Sequence, residues 1–195
     1  HQNGRTIRGA KAQTTEPGLC VPFIVNSPGM VPKGVHTDAL IDVTDLLPTF
    51  ADLGGGTLQE GYTYDGRSFA DLILGKSQDS QKTWILGMGG KNEAKLTDDG
   101  VENAYAFRDR VIREKRFKLY VSHKKQAEKL VDILADPDEQ TNLINSSDPD
   151  AQAALARMSA LISTFPDRDS DPIYTPNPAQ PWDVEITAKS EIWKK

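Results

Sequence analysis

The sequence predicts an α/β chain that passes into a small α+β unit, and three observations carry that expectation. A short apolar run precedes a helical pattern near the start, four strand-like stretches follow at short spacing in the middle, and one amphipathic helix comes after them. The chain has 195 residues, 37% hydrophobic and 26% charged, enough to bury a core and too ordinary in charge for wholesale disorder. Its 28 Asp+Glu outweigh 23 Lys+Arg, a net charge of −5, which argues against broad binding to nucleic acid or anionic membranes. No apolar run approaches the roughly 18 residues that span a bilayer. Cys20 is the only cysteine, so no internal disulfide is available.

The opening His1-Gln2-Asn3-Gly4 has no Met and no signal-peptide layout. The first twenty residues hold Arg5, Arg8 and Lys11 against Glu16 alone, so the chain reads as starting inside a larger protein. Val21–Val25 is a continuous apolar run ending in turn residues, which predicts a buried strand with Cys20 as a small core residue at its edge. Thr44 or Asp45 is the expected N-cap of a helix with Leu46, Phe50 and Leu53 on one face, Pro48 in its first turn and Gly54-Gly55-Gly56 at its end. Asp65–Ser68 reads as a turn into a short helix, Phe69–Leu74, stopped at Gly75. Thr83–Met88, Tyr105–Arg113, Phe117–Val121 and Leu130–Leu134 then read as four strands, antiparallel because their connections are short, with one face toward solvent. Asp148 caps a helix with Pro149 at its first position and a stripe of Ala151, Ala154, Leu155, Met158, Leu161 and Ile162. Residues 164–195 hold five prolines and no periodicity, an extended tail pinned by Trp182, Ile186 and Trp193. The expected division is thus 1–82, 83–163 and 164–195.

Several chemical motifs fail. Gly87–Lys91 lacks the first glycine of a phosphate loop, because Ile85 stands there, and reads as a mobile turn after a strand. Cys20-Val21-Pro22 opens like Cys-x-Pro-x-Arg but has Ile24 in place of arginine. His1, His36 and His123 lack metal-ligand spacing. Arg108–Lys118 carries six basic and two acidic residues; it reads as an anion-binding patch or, more simply, as the wet face of a hairpin. The loop Gly4–Glu16 carries Arg5, Arg8 and Lys11 among glycines and hydroxyls ahead of the apolar run. A lysine so placed can neutralise an oxyanion, while a solvated loop accounts for the same composition.

That loop and its continuation, NGRTIRGAKAQTTEPGLCVPFIV over 3–25, resemble the type I sulfatase segment G-x-x-x-R-G-x-K-G-x-T-T-[DE]-x-G-x-x-V-P-[LF]-I. Ser27-Pro28-Gly29 resembles that family's W-P-G, and DALIDVTDLLPTFAD over 38–52 its D-x-L-[IV]-x-x-x-D-L-x-P-T-x-x-D. Asp65–Phe69 resembles its D-G-x-S stretch, and Lys115–Tyr120 with Asp132–Leu143 resembles R-[YF]-K-L-Y and Y-D-L-x-x-D-P-x-E-x-x-N-L. Five pieces stand in order from about residue 3 to 163. The resemblance implies the C-terminal part of an alkaline-phosphatase-like α/β catalytic domain over 1–82. A C-terminal subdomain of four antiparallel strands and one helix over 83–163 follows from it too.

It implies a sulfatase that hydrolyses a sulfate ester at a formylglycine made within C/S-x-P-x-R, beside a calcium ion. Only Lys11 matches a family functional residue, the lysine that contacts a sulfate oxygen. The nucleophile motif and the metal-binding residues lie upstream in the family, so Cys20 is not the nucleophile and no residue here is assigned to metal. This chain alone is then expected to be inactive, with the upstream part and a small-molecule or glycan sulfate ester as its partners. Sulfatases are often exported, which suggests a periplasmic or secreted place. The family's Lys-Gly is Lys11-Ala12, and Met88–Lys91 stands where many relatives carry a histidine-containing segment. A phosphodiesterase or phosphonate hydrolase of the same superfamily, and a non-catalytic module that binds sulfated glycans, remain open.

Overall fold

Chain reversal every few residues after position 84 yields the expected antiparallel sheet, with one hairpin in addition. The computed structural model describes residues 9–89, 94–97 and 100–170, and only the backbone of 94–97 and 100–102. Its strands are β1 (Ile85–Met88), β2 (Ala94–Thr97), β3 (Gly100–Asn103), β4 (Arg110–Arg113), β5 (Phe117–Val121) and β6 (Ala127–Asp132). The order β1-β4-β5-β6 makes one antiparallel sheet, and β2 pairs with β3 apart from it. That hairpin falls where the sequence suggested polar turns. Only the last four residues of the predicted strand Tyr105–Arg113 enter the sheet.

Register decides which side chains share a face. Ile112 pairs with Leu119 and Leu119 with Leu130, so the three point the same way. With Phe117 and Val121 they pack against the helix Pro149–Ile162, whose Ala151, Ala154, Met158 and Ile162 are buried. Each large apolar side chain so buried contributes about 1.5–3 kcal/mol. The helix starts as its sequence dictates: the Asp148 carboxylate accepts from the Ala151 amide at 2.9 Å, with Pro149 in the first turn.

The opposite face departs from expectation. Val111, Lys118 and Val131 are fully buried there, and Lys118 is closed over by Glu16, 102 positions earlier in sequence, and by Glu139. The face is polar without being wet.

Before the sheet come α1 (Glu16–Leu19), a 3-10 turn (Val43–Asp45), α2 (Leu46–Leu53) and α3 (Ala70–Ile73), and the long helix is α4. The predicted strand Val21–Val25 is not formed, and Val21 and Ile24 are bare. Among the described residues no strand lies beside it to take its amides and carbonyls, and a lone strand has no ladder. Cys20 is accordingly an exposed free thiol rather than a core residue.

Asp45 holds the N-cap position of α2, as expected, but the capping side chain is that of Asp42, three positions before Asp45 and two before Thr44, at the start of the 3-10 turn. The Asp42 carboxylate accepts from the Thr44 amide, and Asp45 reciprocates on the Asp42 amide. The inward face of α2 is Asp45, Pro48 and Thr49, while Phe50 is exposed. Asp45 explains this inversion. Its carboxylate accepts from the Arg67 amide at 2.7 Å and pairs with Lys82 at 2.8 Å, while the Thr49 hydroxyl donates to its carbonyl. Polar groups so fully partnered can be buried at little cost. Gly66 lies against this turn so closely that a Cβ would sit 1.9 Å from the Thr44 carbonyl oxygen.

After α4 the chain folds back over the start of β4. The Arg110 guanidinium stacks on Phe107, 3.5 Å from the ring centroid, and pairs with Asp169. Asp169 also accepts from the Arg108 amide, and the Ser170 carbonyl accepts from Asn103. Trp182, Ile186 and Trp193 lie outside the described residues.

Candidate functional site

Lys11 projects from a tight turn. The Gln13 amide donates to the Ala10 carbonyl at 3.0 Å, leaving exposed Lys11 and Ala12 at the tip and Ala10 buried beneath. Ala12 takes φ = 65°, a left-handed conformation that costs an L-residue about 1–2 kcal/mol and favours glycine. The rest of the basic loop, including Gly4, Arg5 and Arg8, lies outside the described residues, as does His1.

The turn rests on α1. A Cβ at Gly18 would stand 2.2 Å from the Gln13 carbonyl oxygen and 2.4 Å from that of Ala10. The missing side chain is what lets the turn close onto the helix. α1 in turn is fastened to the sheet at two points. Leu19 lies over Gly87 of β1, where an added Cβ would come within 2.8 Å of the leucine side chain. Glu16 reaches Lys118 of β5, its Oε1 3.1 Å from the ammonium, while Oε2 accepts from Arg113 at 3.3 Å.

Glu139 completes the group. Its carboxylate pairs with Lys118 at 2.7 Å, accepts from the Tyr120 hydroxyl at 2.9 Å and accepts from the Glu16 amide at 3.1 Å. Burial and the neighbouring Glu139 carboxylate push the Tyr120 phenol well above its ordinary range. Two cations, Lys118 and Arg113, thus meet two anions, Glu16 and Glu139, with Lys118 wholly enclosed. Such a set has no spare base or acid to offer; its work is to hold parts together.

This cluster disposes of the anion-patch reading of Arg108–Lys118. Arg110 meets Asp169, Lys115 meets Asp38 and Asp79, Arg116 meets Asp132 and Asp150, and Lys118 meets Glu16 and Glu139. The Arg116 guanidinium and two backbone amides outweigh the effect of burial and hold the Asp132 carboxyl below its usual range. Arg108 donates to the Gly89 carbonyl at the end of β1. Gly90 and Lys91 lie outside the described residues.

Lys11 is the predicted site residue that the structure presents to solvent on a seated support. Cys20 is exposed one residue beyond α1. His36 is exposed, and exposed His123 stacks on Tyr105 with centroids 4.6 Å apart. Among the described residues no group of three or more His, Cys, Asp or Glu is placed to hold a metal ion. Glu16 and Glu139 escaped the sequence reading as site-supporting residues. Both stood inside recognised motifs, yet nothing local shows that these motifs converge on one lysine.

Residues 10–164 match the family described as N-sulphoglucosamine sulphohydrolase, C-terminal. The chain is 31% identical over 160 residues to an ulvan-active sulfatase of Formosa agariphila, covering 67% of this chain and 30% of that protein. It is 37% identical over 78 residues to arylsulfatase G of Mus musculus, covering 40% of this chain and 14% of the relative. A solved structure from Bacteroides thetaiotaomicron, concerned with the metabolism of multiple glycosaminoglycans, superposes with a TM-score of 0.55 at 23% identity. It covers 84% of this chain and 34% of the other. The chain therefore spans about a third or less of the proteins it resembles.

Proposed function

The chain belongs to the sulfatase family as a C-terminal portion, and on that premise we propose that it completes a sulfuric ester hydrolase in which Lys11 contacts a sulfate oxygen. The observation that carries this reading is the placement of Lys11: an exposed ammonium at the tip of a turn whose backbone is locked onto a helix and a sheet. A cation carried on a held backbone and facing solvent can bind a sulfate ester and offset the charge that gathers on oxygen as the ester bond breaks.

The nucleophile and metal belong to the upstream part in this proposal. The calcium site and the formylglycine are assigned to residues outside this chain because the family's motifs for both lie upstream of the segment that it resembles. The unformed strand supports the same division. Val21 and Ile24 lie bare just after α1, with Phe23 and Val25 half exposed beside them, an apolar segment suited to pair with a sheet supplied from upstream. Lys11 would then face that part across a covered seam.

The test is hydrolysis of p-nitrophenyl sulfate by the full-length protein, beside p-nitrophenyl phosphate and a phosphonate monoester. Sulfate ester turnover should dominate, and Lys11→Ala should lower kcat/KM by roughly 10²–10³-fold. The 195-residue chain alone should show no turnover. Preference for the phosphonate ester, or undiminished activity in Lys11→Ala, would overturn the assignment.

A further inference from the structure

We propose that Glu16, Lys118 and Glu139 are positioning residues for Lys11, acting through α1 to fix the turn that carries it. The inference rests on the reading of Lys11 as a sulfate contact and adds what sets its place.

The mechanical path has no gap. Lys118 is fixed on β5, between Arg113 of β4 and Val131 of β6 in the register. Its ammonium lies between Glu16 and Glu139, at 3.1 and 2.7 Å. Glu16 is held twice over, by its side chain on Lys118 and by its own amide donating to Glu139. Glu139 is held in the same manner, since its amide donates to the Asp136 carbonyl and its carbonyl accepts from Lys129. Glu16 is the first residue of α1, and Gly18, two residues on, touches the carbonyls of Ala10 and Gln13. Lys11 is the residue between those carbonyls that reaches outward. A displacement of Glu16 therefore reaches Lys11 through a single helical turn.

Chemistry favours ions over an apolar plug at this point. An apolar contact is indifferent to small sliding motions, whereas a buried ammonium between two carboxylates has one satisfied arrangement. Leu19 on Gly87 supplies contact area; the ion cluster supplies direction. Misplacing a catalytic group by about 1 Å can cost as much as 10²-fold in rate, so a device that sets direction has a function here.

The experiment is a double-mutant cycle in the full-length protein with p-nitrophenyl sulfate, using Lys11→Ala, Glu16→Gln and the combination. Glu16→Gln should lower kcat/KM by about 10–100-fold, and the double variant should fall no further than Lys11→Ala alone, since Glu16 acts only through Lys11. Glu16→Asp, which keeps the charge, should recover part of the loss. Arg157→Gln, which removes an exposed pair with Glu114 on the α4 side, should change nothing. A second readout needs no turnover: amide hydrogen exchange over residues 10–19 should quicken in Glu16→Gln and Glu139→Gln and stay unchanged in Arg157→Gln. If the Glu16 and Lys11 losses add, or exchange over 10–13 is unaltered, the positioning proposal is wrong. Should Lys11→Ala prove fully active while exchange still responds, the Lys11 assignment fails and the mechanical coupling stands. If Glu16→Gln does not fold, Glu139→Gln takes its place in the cycle under the same criteria.

Discussion

Replacing Gly18 by alanine tests the contact between α1 and the Lys11 turn in its simplest form. The new Cβ would begin 2.2 and 2.4 Å from two carbonyl oxygens, about 1 Å inside the distance at which carbon and oxygen rest. Both belong to backbone, so no flexible side-chain end can swing away. Relief requires the Ala10–Gln13 turn to lift, and one of the two displaced oxygens, that of Ala10, is the acceptor of the turn's own hydrogen bond from the Gln13 amide.

Overpacking costs about 1–3 kcal/mol and the strained hydrogen bond about 1 kcal/mol. Against this, alanine favours the helix over glycine by about 1 kcal/mol, chiefly because it leaves the unfolded chain less entropy to lose. The balance is a destabilisation of about 2 kcal/mol. For a chain of this size that lowers Tm by roughly 4–8 °C, readable by circular dichroism. Gly9→Ala is the matched control, because a Cβ there meets nothing within 4 Å. A Gly18→Ala chain that melts with wild type and Gly9→Ala, with unchanged exchange over 10–13, would refute the idea that the turn is seated by this contact.

Ala12→Gly should relieve the left-handed strain at φ = 65°; slower amide exchange at Gln13 is expected, and faster exchange would count against the turn as described. Arg110→Ala removes a buried ion pair and its stack on Phe107 and should cost about 3 kcal/mol, or roughly 6–12 °C in Tm; an unchanged melt would deny the latch any role. Acid should destabilise the fold through Asp132 and Asp42. Burial acts to raise both carboxyls, but Arg116 on one and Lys82 with Thr44 on the other win, so both are lowered in the folded state. A lowered folded value means stability that is complete above the ordinary 3.8 and is lost as pH falls below it. Tm should therefore hold from pH 7 to about 5 and drop below about 4, with a shallower drop in Asp132→Asn. A Tm that rises on acidification would contradict this sign.

Where local chemistry decides structure, the sequence was legible. Asp148-Pro149 begins α4, the apolar stripe of that helix is its buried face, and four strands pair antiparallel in chain order. Where a distant partner decides, local pattern misled. Val21–Val25 has the composition of a buried strand but no neighbour to pair with among the described residues. Phe50 sits on the apolar stripe of α2 yet faces outward, because Asp45 gathers Arg67 and Lys82 on the other side. Lys118 looked like part of a wet face until Glu16 and Glu139 arrived from far along the chain. The candidate site shows the same division: Lys11 was visible by resemblance, whereas its supports were not.

The distance between Glu16 and its partners sets an order of events during synthesis. Lys118 follows Glu16 by 102 positions and the Glu139 carboxylate follows it by 123. At roughly 5–20 residues per second, the ribosome delivers them about 5–25 s after α1 has emerged. For all that time the segment bearing Lys11 has neither the sheet nor the carboxylate to lean on. It must wait for the strands of the sheet and for Glu139, so Lys11 acquires its place only after more than a hundred further residues have been made. A nonsense or frameshift change between Lys11 and Glu139 would thus leave the Lys11 residue intact in the polypeptide and without an address in space.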